Sequence, residues 1–248
     1  MTRHILGARD MTSLTILAEM YGAPLDLVAS MHGLSMRSAY RMAQRWRDTD
    51  MISGLNVRPV PGPAWVFPTR TAAESLLGVE VQHWSPTPGR AAHVAALFAL
   101  RTALTGLDVD RWISERVLYS ELGPTKPGQK RPHVHHGRYT NASGELWAVQ
   151  VDQFRRAPAV TKSAMYRAFL SAKAVGCDGL IFYCRGDAVK RAVREAAAGL
   201  DLTGGPRMRL ADLDEVLARR VSPALQRPDL TVIPGGAATA EHGKAASL

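Results

Sequence analysis

The sequence is poor in cysteine and contains no long apolar run. Its two cysteines, Cys177 and Cys184, lie seven positions apart, which matches neither a zinc motif nor a disulfide framework. We therefore expect buried thiols in a reducing compartment. Because no apolar run reaches the roughly 18 residues of a membrane span and the N-terminus lacks a signal peptide's apolar core, the sequence predicts a cytoplasmic protein without a membrane partner.

Signatures of phosphate-binding loops and of common hydrolases are also missing. The segment Gly204-Gly205-Pro206 follows no strand-like run and has no lysine after it, so we interpret it as a turn. The sequence contains no nucleophile elbow and no zincin helix. These absences predict that the protein uses no small-molecule cofactor.

Positive charge is the main feature of the composition. The chain has 31 lysines and arginines against 22 acidic residues, a formal net charge of +9, and this excess favours a polyanionic partner. Residues 1–86 hold 8 basic and 7 acidic side chains, and residues 87–248 hold 23 and 15. We therefore expect a nucleic-acid surface to extend beyond the N-terminal part. The alternative explanation is a high-GC genome that enriches arginine and alanine.

The most informative segment is an arginine-rich stretch at 36–47. It carries four arginines and no acid, and it follows a turn at Gly33 with Ser35 as a candidate helix N-cap. This order is typical of a helix-turn-helix. The apolar positions repeat at helical spacing and predict a core-facing stripe, namely Ala39, Met42, Ala43 and Trp46. The sequence thus predicts a recognition helix, from Ser35 to about Asp48, for the major groove of duplex DNA.

Several polar side chains of this segment are candidates for DNA contact. Arginines at four-residue spacing share one slowly drifting face. Gln44 suits adenine, and Tyr40 either faces the groove or closes the helix-turn-helix core. Arg58 lies near the tip of a predicted wing, where it can meet a phosphate. The predicted contacts of the N-terminal part are Ser35, Arg37, Ser38, Tyr40, Arg41, Gln44, Arg45, Arg47 and Arg58.

The remaining pattern predicts two domains and a tail. Helices at 14–21 and from Pro24 precede the recognition helix, and β-rich runs at 51–57 and 65–67 flank a Pro61-Gly62-Pro63 turn, as in a winged hairpin. A proline-rich junction near 84–89 sets the boundary. The predicted units are a winged helix-turn-helix domain at 1–86, an α/β domain at 87–221 and a disordered tail at 222–248.

The second half alternates helix-like and strand-like segments. This order predicts an antiparallel meander beside a parallel crossover strand, and hence an α+β, or mixed, fold with a mixed sheet flanked by helices. The predicted helices are 90–104, 160–175, 188–198 and 212–220. The predicted strands are 112–119, 134–140, 145–154, 179–184 and an edge strand at 208–210.

Five short motifs in this order carry a family resemblance. They are the Leu34-Ser35-Met36-Arg37 turn, His93 after the junction, and the segments at 112–116, 133–137 and 144–152. On these motifs the chain resembles, over roughly residues 12–200, the replication-relaxation family of plasmids and other mobile elements of high-GC bacteria. The resemblance implies a winged helix followed by a restriction-endonuclease-like domain.

The nuclease site that the resemblance implies is incomplete in this sequence. A metal-dependent nuclease of that fold needs an acid on the second core strand and an acid-x-acid or acid-x-lysine pair on the third. The matching positions hold His136 and Gln150-Val151-Asp152, so that only Glu115 and Asp152 remain acidic. Because Mg²⁺ prefers oxygen ligands, we expect a degenerate domain without turnover. The alternative is a Mg²⁺-dependent nuclease or nickase that uses Glu115, Gln150 and Asp152, with Glu145 as a further candidate.

Three histidines in the 133–137 segment have two interpretations. They form either a transition-metal site or part of a basic surface. Strand alternation would place His133 and His135 on one face and His136 on the other, so at most two converge. The surrounding cations either contact phosphate or form a solvated face, and they are Lys126, Lys130, Arg131, Arg138, Arg155 and Arg156.

Together these features predict a sequence-specific protein that binds double-stranded DNA. Its expected role is the replication, transfer or transcriptional regulation of a plasmid or other mobile element. The alternative function is the metal-dependent nuclease. We also consider a homodimer, because winged-helix proteins commonly pair to read two half-sites.

Overall fold

The computed structural model describes residues 5–123, 128, 132–219 and 231–232. Among these residues no helix combines the length and apolar character needed to cross a bilayer. The N-terminal part contains two short strands that pair antiparallel, β1 (Ala23–Pro24) and β2 (Trp65–Val66). Its helices are α1 (Ala8–Glu19), α2 (Leu25–Met31), α3 (Met36–Asp48) and α4 (Arg70–Leu77).

The second half forms a mixed sheet flanked by helices, as predicted. The strands follow the order β3-β4-β5-β6-β7-β8, in which β5, β6 and β7 are parallel and the remaining pairs are antiparallel. The strands are β3 (Trp112–Ser114), β4 (Gly137–Thr140), β5 (Leu146–Asp152), β6 (Gly179–Cys184), β7 (Arg207–Asp212) and β8 (Thr231–Val232). The helices are α5 (Pro88–Thr105), α6 (Glu115–Glu121), α7 (Pro158–Ala174), α8 (Asp187–Ala198) and α9 (Leu213–Arg219).

Several predicted strands differ from the structure. The strand predicted at 134–140 begins at Gly137, and the one predicted at 145–154 spans Leu146–Asp152. The strand predicted at 112–119 ends at Ser114, whose Oγ accepts a hydrogen bond from Val117 N (3.3 Å) and so caps helix α6. Strand β7, predicted as an edge strand, lies between β6 and β8. Strand β8 is the only described part of the predicted tail at 222–248, and the rest of that prediction lies outside the described residues.

The two segments that the sequence predicts as a wing lie antiparallel. Single bridges join Ile52 to Pro68 and Val57 to Trp65. In addition, Ser53 N donates to the carbonyl oxygen of Phe67 (2.9 Å). Because β2 also pairs with β1, these segments are fixed against the helices of the N-terminal part.

One hydrophobic core continues from the N-terminal part into the second half. A single cluster of buried side chains includes Leu14 of α1, Trp46 of α3, Phe98 of α5 and Trp147 of β5. The predicted domain boundary at residue 86 therefore separates two parts that share buried contacts.

A buried ion pair also joins the two parts. Arg101 of α5 is fully buried, and its Nε donates to Glu19 Oε2 of α1 (3.1 Å). The same guanidinium donates to the carbonyl oxygens of Gly106 (2.7 Å) and Asp108 (3.0 Å). Burial raises the pKa of Glu19 to about 7, although Arg101 lowers it in part.

Removal of Arg101 tests the importance of this ion pair. At about pH 8, Arg101→Met leaves the buried carboxyl of Glu19 without its cation, so that Glu19 either stays charged and unpaired or takes up a proton to remain buried. We expect a loss of about 3–5 kcal/mol in the free energy of unfolding, measured by urea denaturation. The control is Glu19→Met combined with Arg101→Met, which should regain much of this loss because both charges are gone. A single variant as stable as the wild type would contradict the assignment.

The raised pKa of Glu19 predicts a pH-dependent stability. Because the pKa of about 7 in the folded state exceeds the ordinary value of 4.5, the folded state holds this proton more tightly than the unfolded state. The resulting stabilisation is complete below pH 4.5 and is lost as the pH rises through about 7. We expect the free energy of unfolding of the wild type to fall relative to Glu19→Gln between about pH 5 and pH 8. Parallel pH profiles for the two proteins would refute this.

Candidate nucleic-acid interface

Helix α3 begins and ends where the sequence predicts. Ser35 has extended backbone angles, and its Oγ accepts a hydrogen bond from Ser38 N (3.3 Å). The Ser35 hydroxyl also donates to Ser38 Oγ (3.1 Å). Both serines, predicted as DNA contacts, are thus engaged in the N-cap of the helix.

The apolar face of α3 is buried, as the helical spacing predicts. All four stripe residues are buried, and they are Ala39, Met42, Ala43 and Trp46. The indole Nε1 of Trp46 donates to Asp10 Oδ1 of α1 (2.8 Å). Because this N–H is buried, the carboxylate supplies the acceptor that it would otherwise lack. The contact fixes the rotation of α3 about its own axis.

The opposite face of α3 is exposed and polar. Arg37, Tyr40, Arg41 and Gln44 are all exposed, and their spacing of three and four residues places them on one face. Neither Arg37 nor Arg41 pairs with a carboxylate in the part of the chain that the structure describes. The amide of Gln44 donates to Asp48 Oδ1 (2.8 Å) at the surface. These four side chains are therefore accessible to a partner.

Arg45 does not share this free face. Its Nη2 lies 3.1 Å from Asp10 Oδ1, an ion pair that joins α3 to α1. The reason is geometric, because a four-residue step overshoots a helical turn of 3.6 residues by about 40°. Two such steps rotate Arg45 by about 80° away from Arg37 and toward α1. Arg47 is half-buried.

Two further arginines lie at the surface of the N-terminal part. Arg58 is exposed in the predicted wing. Arg9 of α1 was missed by the sequence reasoning, because only tertiary packing brings it to the turn between α2 and α3. There its Nη2 donates to the carbonyl oxygen of His32 (3.3 Å) and its Nε to His32 Nδ1 (3.4 Å). No local sequence signal identifies this contact, which spans 23 residues.

The cationic residues predicted as DNA contacts in the second half differ in exposure and in pairing. Arg155 and Arg156 are exposed, but Arg156 pairs with Asp152 (2.9 Å). Arg138 is half-buried on β4, and its Nε has no hydrogen-bond partner among the described residues. The remaining predicted cations, Lys126, Lys130 and Arg131, lie outside the described residues.

The side chains at the positions of the incomplete nuclease site form hydrogen bonds or ion pairs with other residues. Gln150 Nε2 donates to His133 Nε2 (2.6 Å), and Asp152 is paired with Arg156. The hydroxyl of Tyr21 donates to Glu115 Oε2 (3.3 Å). Burial raises the pKa of both Asp152 and Glu115. Glu145 precedes β5 at the end opposite Asp152, so it is not a member of the same group.

The three histidines of the 133–137 segment divide into the two groups that the sequence predicts, although all three precede β4. The rings of His133 and His135 contact each other (centroids 5.5 Å apart), whereas His136 contacts His93 (4.7 Å). Val151 N donates to His136 Nδ1 (2.9 Å), and His135 Nε2 lies 3.0 Å from the carbonyl oxygen of Ala168.

These histidines carry no positive charge near neutral pH. Burial lowers the pKa of His133 and His135 to about 4 and that of His136 well below its ordinary value. The lowered pKa values do not favour the interpretation in which the histidines add charge to a basic surface. Among the described residues of this region, Arg138, Arg155 and Arg156 supply positive charge.

The described residues offer no support for a metal centre. Nowhere among them do three histidine, cysteine, aspartate or glutamate side chains gather as a possible ligand set. This holds for the histidines of the 133–137 segment and for Glu115 and Asp152.

Comparison with known proteins does not assign the chain to a family. No family model, no curated protein and no solved structure matches it. The resemblance to the replication-relaxation family rests on the short motifs given above.

The incomplete acidic set predicts that the protein does not cut DNA. We expect no relaxation or linearisation of supercoiled plasmid by excess protein in Mg²⁺ or Mn²⁺, because these ions need a cluster of oxygen ligands. The control is Asp152→Ala, which removes the carboxylate at the end of β5. Cleavage by the wild type that is lost in Asp152→Ala would show that a metal site exists.

Proposed function

We propose that this protein binds double-stranded DNA sequence-specifically in the replication, transfer or transcriptional regulation of a plasmid or other mobile element. The observation that carries the proposal is the two-sided character of α3. One side is buried around Trp46, and the other exposes Arg37, Tyr40, Arg41 and Gln44. The assignment to a mobile element rests on the family resemblance.

In this proposal the exposed face of α3 reads bases in the major groove. Arginine can form two hydrogen bonds to the O6 and N7 atoms of guanine, and glutamine can do the same with the N6 and N7 atoms of adenine. Arg37 and Arg41 have no competing carboxylate among the described residues. Gln44 would exchange its surface contact with Asp48 for a base, which costs little because both side chains are exposed.

The elements around α3 would contact the DNA backbone. We infer a winged helix in which the segment from Ile52 to Pro68 is the wing and Arg58 meets a phosphate. The two antiparallel bridges in this segment support the inference. Arg9, held at the turn before α3, is a second phosphate contact of the same kind. Arg45 is not included among the residues proposed to contact bases, because it already pairs with Asp10.

The second half would serve binding without catalysis. Its mixed sheet is compatible with the restriction-endonuclease-like domain that the resemblance implies, and Arg155 on its surface is a candidate backbone contact. The nuclease alternative has less support because Glu115 and Asp152 are held by Tyr21 and Arg156.

Loss of two exposed arginines tests the proposed reading face. We expect the wild type to enrich a defined motif from a random duplex pool, and a palindromic motif would indicate a homodimer. Against that motif, Arg37→Ala combined with Arg41→Ala should lose about 1–3 kcal/mol of binding free energy per arginine that contacts a base. Fluorescence anisotropy measures the affinities for the selected duplex and for a scrambled one.

The matched control removes the same charge elsewhere. Arg191 and Arg194 are exposed on α8, so Arg191→Ala combined with Arg194→Ala should keep the discrimination between the two duplexes. If the α3 double variant still discriminates like the wild type, α3 does not read the sequence.

A further inference from the structure

A cavity of about 700 Å³ lies at the junction of the two parts of the molecule. Its walls come from the N-terminal part (Tyr21, Arg70 and Trp84) and from the second half (Arg90, Arg116 and Tyr119). We propose that this junction cavity binds a nucleotide, with the base on the aromatic wall and the phosphate between the arginines. The proposal is independent of duplex recognition by α3.

Arg116 provides a buried positive charge at the wall of the junction cavity. The residue is 7% exposed, and its guanidinium donates to the carbonyl oxygens of Ala18 (2.9 Å) and Gln82 (3.2 Å). It also lies over the ring of Tyr21, 4.8 Å from the centroid. In the described part of the chain no carboxylate forms an ion pair with it. Glu74 interacts with Arg116 electrostatically without forming an ion pair with it. Because a buried charge is normally paired by direct contact, an anion in the cavity would complete this site.

The other two arginines differ in their availability. Arg90, in the first turn of α5, is exposed. Its backbone N–H donates to the carbonyl oxygen of Thr87 (3.1 Å), and its guanidinium interacts electrostatically with Glu115 but has no hydrogen bond or ion pair among the described residues. Arg70 is already paired with Glu74 (2.8 Å). Glu80 also lines the cavity and reduces the positive charge near Arg70. The anion is therefore expected between Arg90 and Arg116.

The aromatic wall is rigid and partly open. Trp84 is half-buried and packs against Tyr21 (ring centroids 5.6 Å apart), Trp65 (6.3 Å) and Phe67 (6.1 Å). Three rings thus hold the indole in place while part of it lines the cavity. A fixed aromatic surface of this kind is what a nucleobase stacks on.

A nucleotide can contact both the aromatic wall and the arginines. A simple anion can contact only the arginines, and an apolar ligand only the aromatic wall. The volume lies within the roughly 300–1,000 Å³ of small-molecule sites. A free nucleotide and the terminal nucleotide of a DNA strand share this chemistry, and the experiment separates the two sources.

Calorimetric titration of the full-length protein tests the proposal with four probes. AMP and the trinucleotide dT3 represent the free and the strand-bound nucleotide, and adenosine and inorganic phosphate represent the two halves of the ligand. We expect AMP, dT3 or both to bind at least about tenfold more tightly than either half, because only a nucleotide meets both walls. Binding of dT3 without AMP would identify a strand as the source.

Two variants test whether the binding occurs in the junction cavity. Arg90→Ala should weaken nucleotide binding by about tenfold, and its exposed position makes a folding defect unexpected. Trp84→Leu should weaken it similarly, and circular dichroism reports whether this half-buried change alters the fold. The matched control, Arg191→Ala on α8, should leave the affinity unchanged.

Three results would overturn the proposal. They are the absence of AMP and dT3 binding at millimolar concentration, inorganic phosphate binding as tightly as the nucleotides, and an unchanged affinity in Arg90→Ala.

Discussion

The carboxylate of Asp10 determines how helix α3 is presented. It lies 8% exposed in α1 and accepts hydrogen bonds from Trp46 Nε1 (2.8 Å) and Arg45 Nη2 (3.1 Å). A buried N–H group without an acceptor costs about 1–3 kcal/mol, so rotations of α3 that break this contact are disfavoured. With Trp46 fixed inward, the helical repeat leaves Arg37 and Arg41 outward. The proposed DNA recognition depends on this single orientation.

The same helix α1 connects α3 to helices of the second half. Glu19 near its end pairs with Arg101 of α5, and the carbonyl oxygen of Ala18 accepts from Arg116 of α6. Buried guanidinium groups with several acceptors hold elements in defined positions, because each broken contact leaves a charge poorly solvated. The orientation of α3 is thus coupled to the second half, and the junction cavity lies where the two parts meet.

Local patterns in the sequence predicted a large part of the fold. The limits of α3 follow from the Ser35 cap and from the helical spacing, and the continuous apolar run at Gly179–Cys184 identifies β6 with its observed bounds. The strand predicted beyond Ser114 is wrong, because a side-chain cap starts a helix inside a run that alternates like a strand.

The part of the candidate site that could be predicted from the sequence is the exposed face of the single helix α3. The exposure of Arg37 and Arg41 follows from the periodicity of α3. The pairing of Arg45 with Asp10 spans 35 residues, and Arg116 reaches the carbonyl oxygen of Ala18 across 98 residues. Such contacts depend on tertiary packing, so no local sequence pattern predicts them. The junction cavity was missed for the same reason.

Disulfide cross-linking from α3 tests the central claim most directly. Because Cys177 and Cys184 are buried, Gln44→Cys introduces a single exposed thiol on the proposed reading face. With a duplex carrying a thiol-tethered base inside the selected motif, we expect rapid cross-linking from position 44 and none from the control Arg191→Cys on α8. Equal yields at the two positions, or no cross-link at position 44 while the duplex is bound, would contradict the account.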